Sequence, residues 1–188
     1  MDVIAALQAR TSCPRLREPG PGDDELDRLF RCALRAPDHG LLRPWRYVLF
    51  RGDARRELGE VFAAAELARH PSAPPEALDK LRRNPLRAPV VVACIAAVVP
   101  EHPKIPRVEQ IASMAAAVQN LQLAAEALGY GAMWRTGAMA SDPQVKAALG
   151  AQPADEIVAF LYIGTPDGER RPPPLLSPAG FVREWGRP

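Results

Sequence analysis

Three short segments gather residue types able to bind an anion or a planar ring. Arg10-Thr11-Ser12 ends an N-terminal helical pattern and is followed by Arg15. A bound phosphate calls for a guanidinium fork with hydroxyl or amide donors, and this tripeptide supplies all of these within one turn. A solvated turn at a helix end would use the same residues. The second segment runs from Arg35-Ala-Pro-Asp-His39 to Arg43-Pro-Trp-Arg-Tyr47. Polar groups on a loop anchored at both ends by rigid elements are placed to hold a ligand. The plainer alternative is that Asp38 and His39 bond to local backbone and Trp45 belongs to the core. In the third segment, Gly129 to Gly137, glycines stand on both sides of Trp134-Arg135-Thr136, so that backbone can approach a flat ligand closely. A plain helix-to-strand turn explains the glycines equally well, but not Arg135 beside Trp134.

The elements that must position these segments are readable from periodicity. Val3, Ile4 and Leu7 predict a short helix before Arg10, and Glu18-Pro-Gly-Pro-Gly22 is a loop. From Asp23, the apolar residues Leu26, Leu29, Phe30, Ala33 and Leu34 recur at helical spacing behind an acidic first turn, up to Pro37. Tyr47 to Phe50 reads as a strand, and Ala54 to Arg69 and Glu76 to Arg83 as helices, the first core-packing with an Ala-rich stretch able to roof a pocket. Pro89 introduces a β-branched run, Val90 to Val99, expected as a central strand covered on both faces. Val108 to Leu128 is a long Ala-rich helix capped by Gly129, apolar on nearly all sides and so suited to burial against both sheet and partner. A short strand over Ala132 to Trp134, a helix from N-cap Asp142 to Leu149 and a buried strand over Ile157 to Ile163 follow. The tail from Glu169 to Pro188 is expected to be extended, an arm suited to crossing onto a partner.

The totals exclude several classes. At this length, residues 1–188 suit one domain, which buries roughly 70% of its unfolded surface. With 24 Lys+Arg against 22 Asp+Glu, the chain lacks the positive field that nucleic acid or an anionic membrane would exploit. Cys13, Cys32 and Cys94 form no CxxC and have no His at ligand spacing, so they read as reduced thiols and no metal is expected. The N-terminus carries Asp2 and no basic region ahead of a long apolar stretch, and Val90 to Val99 is too short to span a bilayer, which takes about 20 residues. A cytoplasmic location is expected. His70 and His102 read as surface positions without partners.

Arg10-Thr-Ser12, the Ala-Pro…Pro-Trp-Arg-Tyr47 loop, the long helix ending in Gly-Tyr-Gly131, Trp-Arg-Thr-Gly137 and Phe-Leu-Tyr-Ile-Gly-Thr-Pro166 follow one another over nearly the whole chain. In that order they resemble the FMN-dependent nitroreductases, and the Arg-Ala-Pro-Asp-His39 and Trp-Arg-Thr-Gly137 segments look like those of the short bacterial NAD(P)H nitroreductases of the YdjA type. The resemblance implies an α+β fold with a mixed central sheet flanked by helices, and a homodimer with FMN at each end of its interface. It implies that Arg10, Thr11 and Ser12 bind the FMN phosphate and ribityl chain, that Arg35 and His39 reach the cofactor from the other subunit, and that Trp134, Arg135 and Thr136 border the flavin. Arg15, Arg170 and Arg171 are further FMN candidates. The nicotinamide donor, NADH or NADPH, would lie at the end of the long helix, on Ala124, Ala125, Glu126, Ala127, Leu128 and Gly129, where Glu126 and the negative helix end oppose a phosphate.

The chain departs from the family pattern at several places. Thr11 stands where many members have a second Arg, Pro14 where they have another basic residue, and Leu41-Leu42-Arg43-Pro44-Trp45 where the loop often reads Asn-x-Gln-Pro-Trp. The implied activity is ping-pong transfer of hydride from NAD(P)H through flavin N5 to an electron-poor acceptor such as a nitroaromatic or quinone. FMN carries the chemistry and no side chain is compelled to act as a general acid. Arg15 and Arg135 are the cations able to stabilise the reduced ring. Two rival readings share the fold: flavin fragmentation or dehalogenation, and a flavin-binding or interaction protein whose Leu41 and Pro14 have weakened catalysis.

Overall fold

The apolar run after Pro89 becomes β3 (Val90–Ala96), every residue of which is buried. The computed structural model describes residues 2–169, 173–174 and 176–186. β3 lies in a five-stranded sheet, between β2 (Trp45–Arg51) and the long β5 (Glu156–Pro166). On its other side β5 pairs with β4 (Gly131–Arg135) and, near its end, with β1 (Leu16–Arg17). All these pairings are antiparallel, and the parallel component of the expected mixed sheet is confined, among the described residues, to an isolated bridge between Ser12 and Ala132.

Side chains of successive strand residues point to opposite faces, so the sheet carries two cores. On one face, Val90, Val92, Cys94 and Ala96 pack with Ala159, Leu161 and Ile163 under α2 (Asp23–Ala33) and α5 (Arg107–Ala127). α1 (Val3–Ala9) packs beside α5. On the other face, Val91, Ala93 and Ile95 pack with Ile157, Phe160 and Tyr162 under α3 (Ala54–Arg69), α6 (Ala138–Ser141) and α7 (Pro143–Ala148). α4 (Pro75–Arg83) rests on α3. Asp142 caps α7 as its sequence position predicts: Oδ1 accepts from the backbone N–H groups of Gln144 and Val145 at 2.8 and 3.2 Å. Its Oδ2 also pairs with Nε of Arg69 at 3.0 Å, which ties the end of α3 to the start of α7.

Three expectations are corrected here. The strand stops at Ala96 and not at Val99, because buried side chains take the backbone out of the ladder: Asp155 Oδ1 accepts from Val98 N–H at 2.9 Å and Gln110 Oε1 from Val99 N–H at 2.8 Å. The tail is not extended throughout, since Pro178–Gly180 forms a 3-10 turn capped by the Ser177 hydroxyl. His102 is half-buried and partnered, its Nδ1 accepting from the N–H groups of Lys104 and Ile105, whereas His70 is exposed. Among the described residues no helix is long and apolar enough to cross a membrane.

The loop between α2 and β2 is pinned to α5 by one hydroxyl. Ser113 Oγ donates to the Pro37 carbonyl at 2.7 Å and accepts from the Trp45 indole N–H at 3.0 Å. Ser113→Ala should therefore orphan a donor and an acceptor together and lower unfolding free energy by about 1–3 kcal/mol in urea denaturation. Leu121, fully buried on the sheet-facing side of α5, sets the comparison: Leu121→Ala is expected to cost about 2–5 kcal/mol by the same measurement.

Candidate functional site

The N-terminal and Trp-Arg-Thr segments, far apart in sequence, lie side by side. α1 ends at Arg10, the chain turns extended, and the Cys13 N–H donates to the Ala132 carbonyl at 2.9 Å while Ser12 bridges Ala132. This approach requires glycine at position 131, where a Cβ would stand 2.9 Å from both Cβ and Sγ of Cys13. The chain then passes through Arg15, whose carbonyl accepts from Asp167 N–H at 3.0 Å, into β1 against the end of β5. The result is one sheet edge that carries Arg10 to Arg15, Trp134 to Thr136 and the first residues of the tail.

Two cavities open along this edge. One, of about 280 Å³, is lined by Thr11, Ser12, Pro14, Arg15, Asp167 and Gly168. The other, of about 380 Å³, is lined by the Trp134-Arg135-Thr136 strand end together with Phe62, Phe160 and Tyr162. Phe62 comes from α3, which thus packs in the core and also contributes a side chain to the cavity. The first offers hydroxyls and a guanidinium, the second aromatic and apolar walls with one cation. A phosphate and a flat ring need those two environments.

The individual side chains differ in freedom. Trp134 donates its indole N–H to the Val158 carbonyl at 3.0 Å, so its ring is fixed, and it packs with Leu161 on the face of the sheet covered by α2 and α5. The Arg135 guanidinium lies 5.7 Å from the Tyr162 ring centroid. Tyr162 is buried, and desolvation raises its phenol, an effect that Arg135 and Arg87 oppose. Among the described residues, neither the Arg10 nor the Arg15 side chain has a hydrogen-bond or ion-pair partner. By contrast Arg31, Arg51 and Arg82 each hold a carboxylate. Arg170 and Arg171 lie outside the described residues.

Arg35 and His39 sit elsewhere, on the loop between α2 and β2. Within one chain that loop shares no lining residue with the two cavities above. His39 Nδ1 is 2.6 Å from Glu109 Oε2 in the first turn of α5, a partner that sequence spacing gave no signal for. Asp38 does bond local backbone: its Oδ2 accepts from Arg43 N–H at 2.7 Å. At the end of α5, Ala125 and Glu126 are buried, so of the Ala124–Gly129 segment only Ala124, Ala127, Leu128 and Gly129 reach solvent. No cluster of three or more His, Cys, Asp or Glu able to hold a metal occurs among the described residues.

Comparison with known proteins gives this arrangement a context. Residues 7–165 match the model of the nitroreductase family. Over 166 residues the chain is 39% identical to the "Putative NAD(P)H nitroreductase YdjA" of Escherichia coli (strain K12), an alignment covering 88% of this chain and 89% of that protein. Among solved structures, a nitroreductase-like family protein from Bacillus cereus superposes with a TM-score of 0.83 at 22% identity, over 100% of this chain and 97% of the other. A nitroreductase with bound FMN from Bacteroides fragilis NCTC 9343 gives 0.72 at 19% identity, over 98% of each. With its sheet edge, its two adjoining cavities and a family match across most of its length, the chain belongs to the nitroreductase family of oxidoreductases.

Proposed function

We propose that the protein is an FMN-dependent oxidoreductase, acting as a homodimer, that passes hydride from NAD(P)H to an electron-poor acceptor such as a nitroaromatic or quinone. One observation carries this reading: Arg10, Thr11, Ser12 and Arg15, whose guanidinium and hydroxyl groups have no partner among the described residues, stand on the same sheet edge as the cavity lined by Arg135, Thr136, Phe62 and Tyr162. The relative with bound FMN has the same fold, and the donor set here suits both ends of that cofactor.

Arg10, Thr11 and Ser12 hold the phosphate, with Arg15 close by. Trp134, Arg135 and Thr136 border the flavin ring along the strand end, the Trp134 indole locked by Val158 on the strand's other face. When bound, FMN supplies hydride uptake from the nicotinamide and hydride delivery to the acceptor. Negative charge on the reduced ring favours a nearby cation in a partly desolvated site, the role of Arg135 above the buried Tyr162.

Dimerisation completes the site. α1 turns Val3, Ile4 and Leu7 to solvent, and the tail exposes Phe181 (79%) and Trp185 (90%). Exposed apolar residues concentrated on an N-terminal helix and a C-terminal arm mark a surface that a second copy covers. Such a copy brings Arg35 and His39, which their own chain holds apart from the sheet edge. A second reading, a flavin-binding protein of the same fold with other or lost catalysis, draws on Leu41, 75% exposed where relatives of this kind often carry an amide.

The purified protein is expected to be yellow, dimeric and bleached anaerobically by NADPH or NADH; a yellow protein that neither nucleotide bleaches supports the second reading. Arg10→Ala and Arg135→Ala should each weaken FMN binding about tenfold or more, read from the visible absorbance retained after gel filtration. Arg31→Ala, which removes only a surface pair with Asp27, should retain the wild-type flavin content. Unchanged occupancy in both site variants would remove those arginines from the site.

A further inference from the structure

His39 is one of two residues that the proposed flavin site takes from a second copy, and its ring is already held within its own chain. Nδ1 lies 2.6 Å from Oε2 of Glu109, a residue 70 positions further on. A carboxylate only accepts, so Nδ1 is the donor and carries the proton. That bond fixes the plane of the imidazole and leaves Nε2 as the nitrogen able to meet a ligand. No hydrogen bond joins Nε2 to another of the described residues. The neighbouring Asp38 does not compete for the ring, since its Oδ2 accepts from the Arg43 backbone N–H.

The first two turns of α5 place Glu109 for this contact. With Pro106 as N-cap, Glu109 is the third residue of the helix, where the positive helix end suits a carboxylate. Ser113 stands one turn further on, so both side chains leave the same face of α5. Ser113 accepts the Trp45 indole N–H and donates to the Pro37 carbonyl, and Glu109 takes the imidazole that lies between those two residues in sequence. Gly40, at φ 70°, lets the loop close on the segment leading into α5, because a Cβ there would run into Ile105. One helix face therefore sets both the backbone of the loop and the ring that it carries.

Stability does not account for the pair. The His39 and Glu109 side chains are 60% and 46% exposed, and a contact between groups so open to water contributes little to folding. The loop is anchored through Ser113 without it. An imidazole locked at one nitrogen and open at the other is arranged for a contact outside its own chain.

We infer that Glu109 is a positioning residue for the flavin: it holds the His39 ring in the tautomer and orientation in which Nε2 meets the FMN bound at the partner copy's sheet edge. The inference rests on the flavin oxidoreductase reading and on its two-copy site. Glu109 lines neither of the cavities on that edge, so its effect on the cofactor passes through His39 alone.

The test is a double-mutant cycle on the purified FMN-loaded protein, read from the flavin fluorescence released on serial dilution. His39→Gln and Glu109→Ala should each weaken FMN binding about tenfold, and the double variant should be within about twofold of His39→Gln alone. Nitrogen-15 spectra of histidine-labelled protein, taken where the ring is neutral, give a readout that needs no turnover. The His39 signals, identified by their loss in His39→Gln, should show Nδ1 protonated in wild type and a shift towards the Nε2-protonated form in Glu109→Ala. Losses that add in the double variant overturn the proposal, because Glu109 would then act by another route. A wild-type His39 protonated at Nε2 overturns it as well. Wild-type FMN retention in both single variants overturns it while leaving the flavin reading on Arg10 and Arg135, whereas wild-type protein that takes up no FMN sinks that reading and the role of Glu109 with it.

Discussion

Backbone hydrogen bonding along β5 is the constraint on which the candidate site depends. One strand pairs with β3 along Glu156 to Ile163, with β4 along Phe160 to Gly164, and with β1 at Thr165 and Pro166. Residues from the first tenth of the chain and from its last third are thereby set in register on a single edge. The junction is tight at two glycines: a Cβ at Gly131 would meet Cys13, and one at Gly164 would meet Pro89 and the Arg17 carbonyl. Small residues there are a condition for bringing Arg10, Thr11 and Ser12 beside Trp134, not a sign of flexibility.

Several arginines tie scaffold elements together, and those of the candidate site are not among them. Arg51 and Arg107 join elements by pairing with Asp23 and Glu156, and Arg69 ties α3 to the cap of α7. At Glu156, burial raises the carboxyl but Lys146 and Arg107 outweigh it, so the group is held below its ordinary value and remains charged. Arg10, Arg15, Arg35 and Arg43 hold no such partner among the described residues.

The single chain is also unbalanced in apolar surface. Its two internal cores are closed on both faces of the sheet, yet Val3, Ile4 and Leu7 on α1 and Phe181, Val182 and Trp185 in the tail stand in solvent. Water removed from these residues would stabilise association by the same effect that closes the cores. The separation of Arg35 and His39 from the sheet edge would suit the proposed two-copy site, in which each chain carries both halves at different places on its surface.

Local pattern determined much of this molecule. The periodicity of Leu26 to Ala33 was enough for α2, the unbroken β-branched run for β3, and Asp142-Pro143 with Gly150 for both ends of α7, since each signal arises from neighbours in sequence. The three candidate segments were legible as motifs, and with their order the family was too. Two residues of β1 carry no periodicity, so that strand had no local signal. Tertiary structure alone decided that Ser12 lies against Ala132, that His39 meets Glu109, that Ser113 anchors the loop, and that β3 ends where Asp155 and Gln110 intercept its backbone. Each of these joins groups distant in the chain, and a sequence pattern records what a residue can bond to, whereas only the folded sheet and helices determine which partner arrives within reach.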